Sequence, residues 1–483
     1  MLFFVDAMRL PSPRMCAMRL FILFLLAALS ICNVCSAREL PPVVGDALAH
    51  AGIPEKAVGV LVQEVGNQKA MVSLNALKAF NPASTMKLVT TDAALELLGP
   101  TFTWKTQAYV SGTVTADVLQ GNLIIKGGGD PKLVTENFWL FLRQIRASGI
   151  REIRGKVILD RSVFESVPAD PAKFDGDPSK PYNVAPDALM LNYQTLRFQF
   201  KPAASGGTFN IAVDPPLVGY DVGVPQWTND DCGDWQSKLA PDFGDSGVRF
   251  AGTYAMACGE KSWYVHPYRM SRNQYFAAVF GKMWADLGGV FKGEVADGVV
   301  PADARLLTTW ESTALPDVIR DINKFSNNVM ARQLLLTLAV GSQPATTERG
   351  AQSIKSWLAD KDIDAPELLI ENGSGLSRNE RIAAATMAKL LLAAYQSSLM
   401  PEFISSLPLV GYDGTMRHRL NDQGVAGNAH VKTGTLNEVK AVAGYVQAAS
   451  GKRYVIVFFI NHPDAARGGA AQDALLEWVY THG

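Results

Sequence analysis

Apolar and polar residues follow two different periods along this chain, and the period changes twice. Near the start, "AVGVLVQEV" (57–65) and "KAMVSLNA" (69–76) flank "GNQ", which predicts a β-hairpin. "NPASTMKLVTT" (81–91) follows. Asn81 suits a helix N-cap and Pro82 the first helical position. Leu88, Ala94, Leu95 and Leu98 then recur near helical spacing, and Gly99-Pro100 ends the segment. From about 101 to 302 the texture becomes short strands divided by Gly, Pro and Asp turns. "GNLIIKGGGDP" (121–131) predicts a strand and tight turn, "NFWLFLRQIRASG" (137–149) a helix, and "IRGKVILD" (153–160) a strand, while 165–265 is loop-rich. Helical spacing returns over 312–339. "AHVKTGTL" (429–436), "KAVAGYVQA" (440–448) and "KRYVIVFFINH" (452–462) predict three strands joined by tight turns, and "AAQDALLEWVYTH" (470–482) a closing helix. Similar texture at both ends around a different middle predicts one domain, 38–100 plus 303–483, interrupted by an insertion over 101–302.

The 483 residues allow roughly two to four domains of about 100–200 residues each. A hydrophobic content of 48% with 19% charged residues is that of a globular protein. The net charge of −1 offers no electrostatic basis for binding nucleic acid or an anionic membrane. The N-terminus changes the picture. Arg14 and Arg19 precede "LFILFLLAALSIC" (20–32), too short to span a bilayer comfortably, and "CSA" (35–37) supplies small residues. This predicts a signal peptide over 1–37, cleaved after Ala37 rather than kept as an anchor, and an exported, periplasmic protein with at most peripheral membrane association. Of five cysteines only Cys232 and Cys258 remain after cleavage, and export favours their pairing over two buried thiols.

Candidate chemistry lies in three short stretches. Ser84 and Lys87 form S-x-x-K on one face of the predicted helix. "SNN" (326–328) falls at a helix start and "KTG" (432–434) on a strand. Each alone is commonplace. In this order and on these elements, they form the signature of penicillin-binding proteins and class A β-lactamases. The chemistry needs no His. Helix-terminal partial charge favours an alkoxide on Ser84. Lys87 can take the hydroxyl proton if burial and a second cation, Lys432, keep it neutral. Ser326 can relay a proton, Asn328 can bond a substrate amide, and the N–H groups of Ser84 and Thr435 can make an oxyanion hole.

With these motifs the sequence resembles the D-alanyl-D-alanine carboxypeptidase/endopeptidases of the penicillin-binding protein 4 type, the class C low-molecular-mass group. The resemblance extends to "GGGDP" (127–131), "GKVILDRSVF" (155–164), "ENGSGLSR" (371–378) and "LPLVGYDGTMRHRL" (407–420). About 240 residues separate Ser84 from Ser326, far more than in a β-lactamase. The resemblance implies a transpeptidase/β-lactamase-like α/β (α+β) domain, an antiparallel sheet flanked by helices. It also implies that the β-rich insertion holds two domains, one nested in the other, the inner near 165–265. It makes Ser84 the nucleophile, Lys87 the base, Ser326 and Asn328 the second motif, and Lys432, Thr433 and Gly434 the third. Arg332 and Asn327 depart from the acidic residues common there.

The implied activity is cleavage of D-Ala-D-Ala, or of cross-links to diaminopimelate, in peptidoglycan stem peptides. Penicillins would act as acylating inhibitors, and no metal or cofactor is implied. For a diaminopimelate side chain, motif matching points to Asp160 as the acid, Phe164 as an apolar wall, and Arg378 and Asn437 as donors. The alternatives are a β-lactamase, disfavoured by the long insertion and the lack of an E-x-x-L-N-like segment, and a non-catalytic peptidoglycan-binding relative. "GDSG" (244–247) mimics a chymotrypsin-like nucleophile loop, but the only upstream His is His50. "KGGGD" lacks the Lys-Ser/Thr of a phosphate loop. His430 and Lys432 alternate on a strand and make no metal site, and the six histidines show no zinc spacing.

Overall fold

A computed structural model describes residues 39–203 and 209–483. The signal peptide expected over 1–37 lies outside the described residues. The first domain is built on a five-stranded antiparallel sheet. Its strands are β1 (Val58–Glu64), β2 (Ala70–Leu74), β3 (Ala429–Leu436), β4 (Val439–Gln447) and β5 (Arg453–Asn461), in spatial order β2-β1-β5-β4-β3. The predicted hairpin is present, with Val60 opposite Leu74. The last three strands also fall within a residue or two of their expected bounds.

The sheet is buried on both faces, and the two-residue period divides its side chains between two cores. Val455, Val457 and Phe459 of β5 face one core; Ile456, Phe458 and Ile460 face the other. The second core is covered by α1 (Pro42–His50) and by a helix at the chain end, Gly469–His482. The first core packs against α2 (Met86–Leu98), α3 (Leu315–Phe325), α4 (Asn328–Thr337), α5 (Thr347–Asp360) and α6 (Ala384–Gln396). Helix α2 runs through the middle of this layer. Ten consecutive residues, Met86 to Leu95, are buried. The helix therefore lacks the one-sided apolar stripe of a surface helix, and its polar residues Lys87, Thr90 and Thr91 find hydrogen-bond partners inside.

The insertion carries a seven-stranded sheet. Its final strand, Arg305–Glu311, pairs antiparallel with Lys105–Thr115, placing Trp310 opposite Thr106. The inserted domain thus ends near 311, not 302 as the change of texture suggested. Chain entry and exit lie side by side, since Ser312 Oγ accepts from the Trp104 amide at 2.9 Å. The regular structure of the inner unit begins with Leu196–Pro202, which pairs with Phe209–Asp214 and Lys261–Val265. Residues 165–195 form a mostly irregular strap with two short 3-10 turns, so the inner boundary expected at 165 moves to about 196. Cys232 and Cys258 are joined as a disulfide, with Cα atoms 4.7 Å apart. Apolar side chains of both inserted units form one continuous cluster, separate from the two cores of the first domain. Phe138 and Phe276 link the helices Thr135–Ala147 and Arg272–Asp286, with ring centroids 5.4 Å apart.

Candidate active site

The S-x-x-K stretch differs from the expected entry into a helix. Asn81 does not cap α2. Its Oδ1 accepts from the Ala83 amide at 2.9 Å, and its Nδ2 donates to the Ser377 carbonyl at 2.8 Å. Ala83 to Thr85 form a 3-10 turn, and the α-helix begins at Met86. Ala83 takes a positive φ of 45°. This tight turn leaves Ser84 partly exposed above the helix, whereas Lys87, one turn on, is wholly buried.

The second motif sits at a corner between two helices. Ser326 ends α3 in the left-handed region, with φ 57° and ψ 39°. Asn327 then caps α4, its side chain accepting from the Met330 amide at 3.0 Å. A non-glycine residue in that region is uncommon. Here the corner lets Ser326 meet Lys432 and Asn328 meet Lys87 from the ends of two helices. The third motif lies on the edge strand β3. A Cβ on Gly434 would fall 2.8 Å from both the Pro82 carbonyl and the Ser84 amide, so only glycine lets this strand approach the Ser84 turn so closely. Thr435, the next residue, is exposed.

Folding brings the three motifs within hydrogen-bond reach. Lys87 Nζ lies 2.9 Å from Ser84 Oγ and donates to Asn328 Oδ1 at 2.6 Å and to the Ser374 carbonyl. Lys432 Nζ donates to Ser326 Oγ at 2.8 Å and to the Thr433 carbonyl at 2.7 Å. Thr433 Oγ1 lies 2.8 Å from Thr415 Oγ1. Burial lowers the Lys87 pKa well below the ordinary lysine value. The Lys432 and Arg332 cations push it the same way, and the Glu380 carboxylate opposes them. Burial also brings Lys432 down to about 7. A lysine that can be neutral, in contact with a serine hydroxyl, has the arrangement that general-base activation of a nucleophile requires.

Sequence reasoning assigned no role to several of these groups. Ser374 and Glu380 lie in or beside "ENGSGLSR", but a backbone carbonyl that accepts from Lys87 leaves no mark on residue type. Thr415 ties the 407–420 loop to Thr433 on β3, and the pair Lys324–Asp413, 2.7 Å apart, ties it to the end of α3.

The residues expected to read a side chain are divided. Phe164, Phe174, Arg332, Leu376 and Arg378 line one cavity of about 530 Å³ between the 165–186 strap and the first domain. The Arg378 guanidinium stacks on the Phe174 ring at 5.0 Å. Asp160 and Asn437 are not in this cavity. Asp160 is buried at a strand end, its oxygens accepting from the Ser162 and Val300 amides at 2.9 Å each. Those bonds hold its carboxyl below the ordinary value despite burial. Asn437 lies exposed in the turn between β3 and β4.

Comparison with known proteins agrees with this arrangement. The D-Ala-D-Ala carboxypeptidase 3 (S13) family model matches residues 43–482. The chain is 26% identical over 430 residues to the D-alanyl-D-alanine carboxypeptidase DacB of Haemophilus influenzae, covering 85% of this chain and 86% of that protein. It is 27% identical over 451 residues to a D-alanyl-D-alanine carboxypeptidase of Actinomadura sp., covering 89% and 82%. The crystal structure of penicillin binding protein 4 (dacB) from Haemophilus influenzae superposes with a TM-score of 0.75 at 25% identity. That match covers 91% of this chain and 99% of the other. The same protein has also been solved in complex with a β-lactam. A serine and two lysines joined across three elements, on a fold shared over almost the whole described chain, therefore have one consistent reading: this protein belongs to the D-Ala-D-Ala carboxypeptidase 3 (S13) family and is an enzyme of that peptidase class.

Proposed function

We propose that the protein is an exported, periplasmic serine D,D-peptidase that cleaves peptidoglycan stem peptides through an acyl-enzyme on Ser84. The observation that carries this reading is the contact of the buried Lys87 Nζ with Ser84 Oγ. Neutral Lys87 takes the hydroxyl proton as Ser84 Oγ attacks the carbonyl carbon of the penultimate D-Ala. The oxyanion is held by the N–H groups of Ser84 and Thr435, fixed donors in a site closed by the approach of Gly434. Collapse expels the leaving amine. Ser326, bonded to Lys432, supplies its proton. With a pKa of about 7, Lys432 can give and recover a proton near neutrality. Water then attacks the ester carbonyl and passes its proton through Ser326 to Lys432, which recovers the one it gave, and Ser84 leaves as the free hydroxyl with the proton that Lys87 returns.

A leaving group that is terminal D-Ala makes the reaction a carboxypeptidase step; a cross-linked D-amino acid makes it an endopeptidase step. β-Lactams enter as acylating inhibitors, in keeping with the β-lactam complex of the Haemophilus influenzae relative. The cavity shared by Phe164 and Arg378 is the subsite for the carboxylate end of a diaminopimelate side chain.

Two measurements test the reading. Digestion of purified peptidoglycan, with products resolved by mass, should release D-Ala or split cross-linked dimers. Labelling by a fluorescent penicillin should occur in the wild type and vanish in Ser84→Ala, because removal of the nucleophile from such a unit removes most of the rate. Labelling that survives in Ser84→Ala places the nucleophile elsewhere.

A further inference from the structure

Beneath the base lies a buried frame that the mechanism above does not use. Glu380 is wholly buried. Its Oε1 accepts from three consecutive backbone amides, Glu371, Asn372 and Gly373, at 3.0, 2.9 and 3.0 Å. Its Oε2 is buried with no protein donor. The turn gathered by these bonds is tied to α2 on its other side. The Gly373 carbonyl accepts from Thr90 Oγ1 at 2.7 Å, and the Ser374 carbonyl accepts from Lys87 Nζ. Gly375, with φ +80°, presses the turn against the nucleophile's own turn, where a Cβ would meet the Ala83 carbonyl at 1.9 Å. One carboxylate therefore holds the segment that touches both Lys87 and the backbone beside Ser84.

What this frame does follows from counting donors. A neutral lysine amine carries two N–H bonds and one lone pair, one donor fewer than the ammonium. The Ser374 carbonyl can only accept, and so can Oδ1 of Asn328. If these two atoms take both N–H bonds, the lone pair is left facing the Ser84 hydroxyl, which must then donate. Without the Ser374 carbonyl the amine is free to turn a hydrogen toward Ser84, the wrong polarity for a base. Charge adds a second effect. Three charged groups bear on Lys87: Lys432 and Arg332 favour its neutral form, and Glu380 favours its ammonium. Burial raises the Glu380 carboxyl above its ordinary value, while its three amide donors and the Lys87 charge draw it back toward the carboxylate, and a buried charge acts strongly because little solvent screens it.

We infer that Glu380 is a positioning residue for Lys87: it gathers the 371–373 amides, so aims the Ser374 carbonyl at the base, and sets a buried negative charge near it. This rests on the proposed roles of Ser84 and Lys87. It extends the site to a side chain that touches neither substrate nor nucleophile.

The two effects separate in two variants of the full chain. Glu380→Gln keeps an oxygen for the three amides and removes the charge. Glu380→Ala removes both. The readout is the second-order rate of acylation by a chromogenic penicillin from about pH 5 to pH 10, where the acidic limb reports the base of the free enzyme. Without the charge, the Lys87 ammonium is less favoured and its pKa falls. The acidic limb of Glu380→Gln should therefore move to lower pH by about half a unit to one unit, with a plateau within about threefold of wild type. Glu380→Ala should lose about ten- to a hundredfold on the plateau, with a thermal unfolding scan showing whether it is folded. A Glu380→Gln profile that coincides with wild type overturns the inference. So does a Gln variant that loses as much rate as Ala without moving its limb, since that is what a purely structural residue would do. A wild-type protein that no penicillin acylates would instead sink the roles of Ser84 and Lys87.

Discussion

Lys87 Nζ and Asn328 Oδ1 lie 2.6 Å apart, although 241 residues separate them along the chain. The contact joins the first motif to the second and takes one N–H bond of the neutral lysine, which helps leave its lone pair for the Ser84 hydroxyl. A neutral amide oxygen accepts from the amine without favouring its charged form as a carboxylate would. Asn328→Asp should therefore raise the Lys87 pKa, hold it as ammonium, and move the acidic limb of penicillin acylation to higher pH. At neutral pH the loss should be about a hundredfold or more, the effect of some two pKa units. An unchanged limb in a folded Asn328→Asp protein would show that Lys87 does not act as the base.

Lys87→Arg should be nearly as damaging as Lys87→Ala. Guanidinium keeps the charge but is not deprotonated in proteins, so it cannot take the Ser84 proton. The site also leaves no room, because Lys87 is wholly buried with all three contacts made. Acylation rates of both variants check this. Substantial acylation by Lys87→Arg would make the residue a fixed charge instead of a base.

The disulfide between Cys232 and Cys258 should matter to the insertion and little to the catalytic site. It closes a loop of 26 residues in the inner unit, and loss of such a constraint typically costs about 3 kcal/mol. Most of the insertion's buried apolar residues form their own cluster, and only Phe164, Val184, Ala188 and Met190 share small clusters with residues of the first domain. In Cys232→Ser/Cys258→Ser, limited proteolysis should cut within 196–265 sooner, while penicillin labelling at 25 °C persists. Parallel loss of labelling and of protease resistance would mean that the two regions fold as one unit.

Arg378 and Asp160 should behave differently from each other. Arg378 lines the cavity between the 165–186 strap and the first domain, so Arg378→Ala should slow turnover of diaminopimelate peptides about ten- to a hundredfold, the worth of one or two charged hydrogen bonds. It should barely alter acylation by benzylpenicillin, which lacks that side chain. Asp160 instead ties the Ser162 and Val300 amides. Asp160→Ala should lower stability by about 1–3 kcal/mol, the cost of stranding buried donors, and affect both substrates alike. A selective loss on diaminopimelate peptides in Asp160→Ala would return that residue to the specificity site.

Much of this protein was legible along the chain. The alternation of "KRYVIVFFINH" and its neighbours gives three strands, because side-chain period is a property of the local backbone. The order of S-x-x-K, S-x-N and K-T-G located the candidate chemistry, since it depends on residue type and spacing alone. The family resemblance reached the same residues. Tertiary structure decided what depends on the far side of the chain. Texture does not record strand pairing, so only the ladder between Arg305–Glu311 and Lys105–Thr115 could move the insert boundary to about 311. The turn at Ala83 and the burial of α2 come from packing against β3, the turn at Gly375 and helices α3 to α6, not from the propensities of 81–98. Asp160 reads as an acid available to a ligand until the fold turns two backbone amides onto it. The role of Glu380 was hidden for the same reason. It acts through backbone N–H and carbonyl groups, which every residue carries, and only three dimensions show which of them it holds.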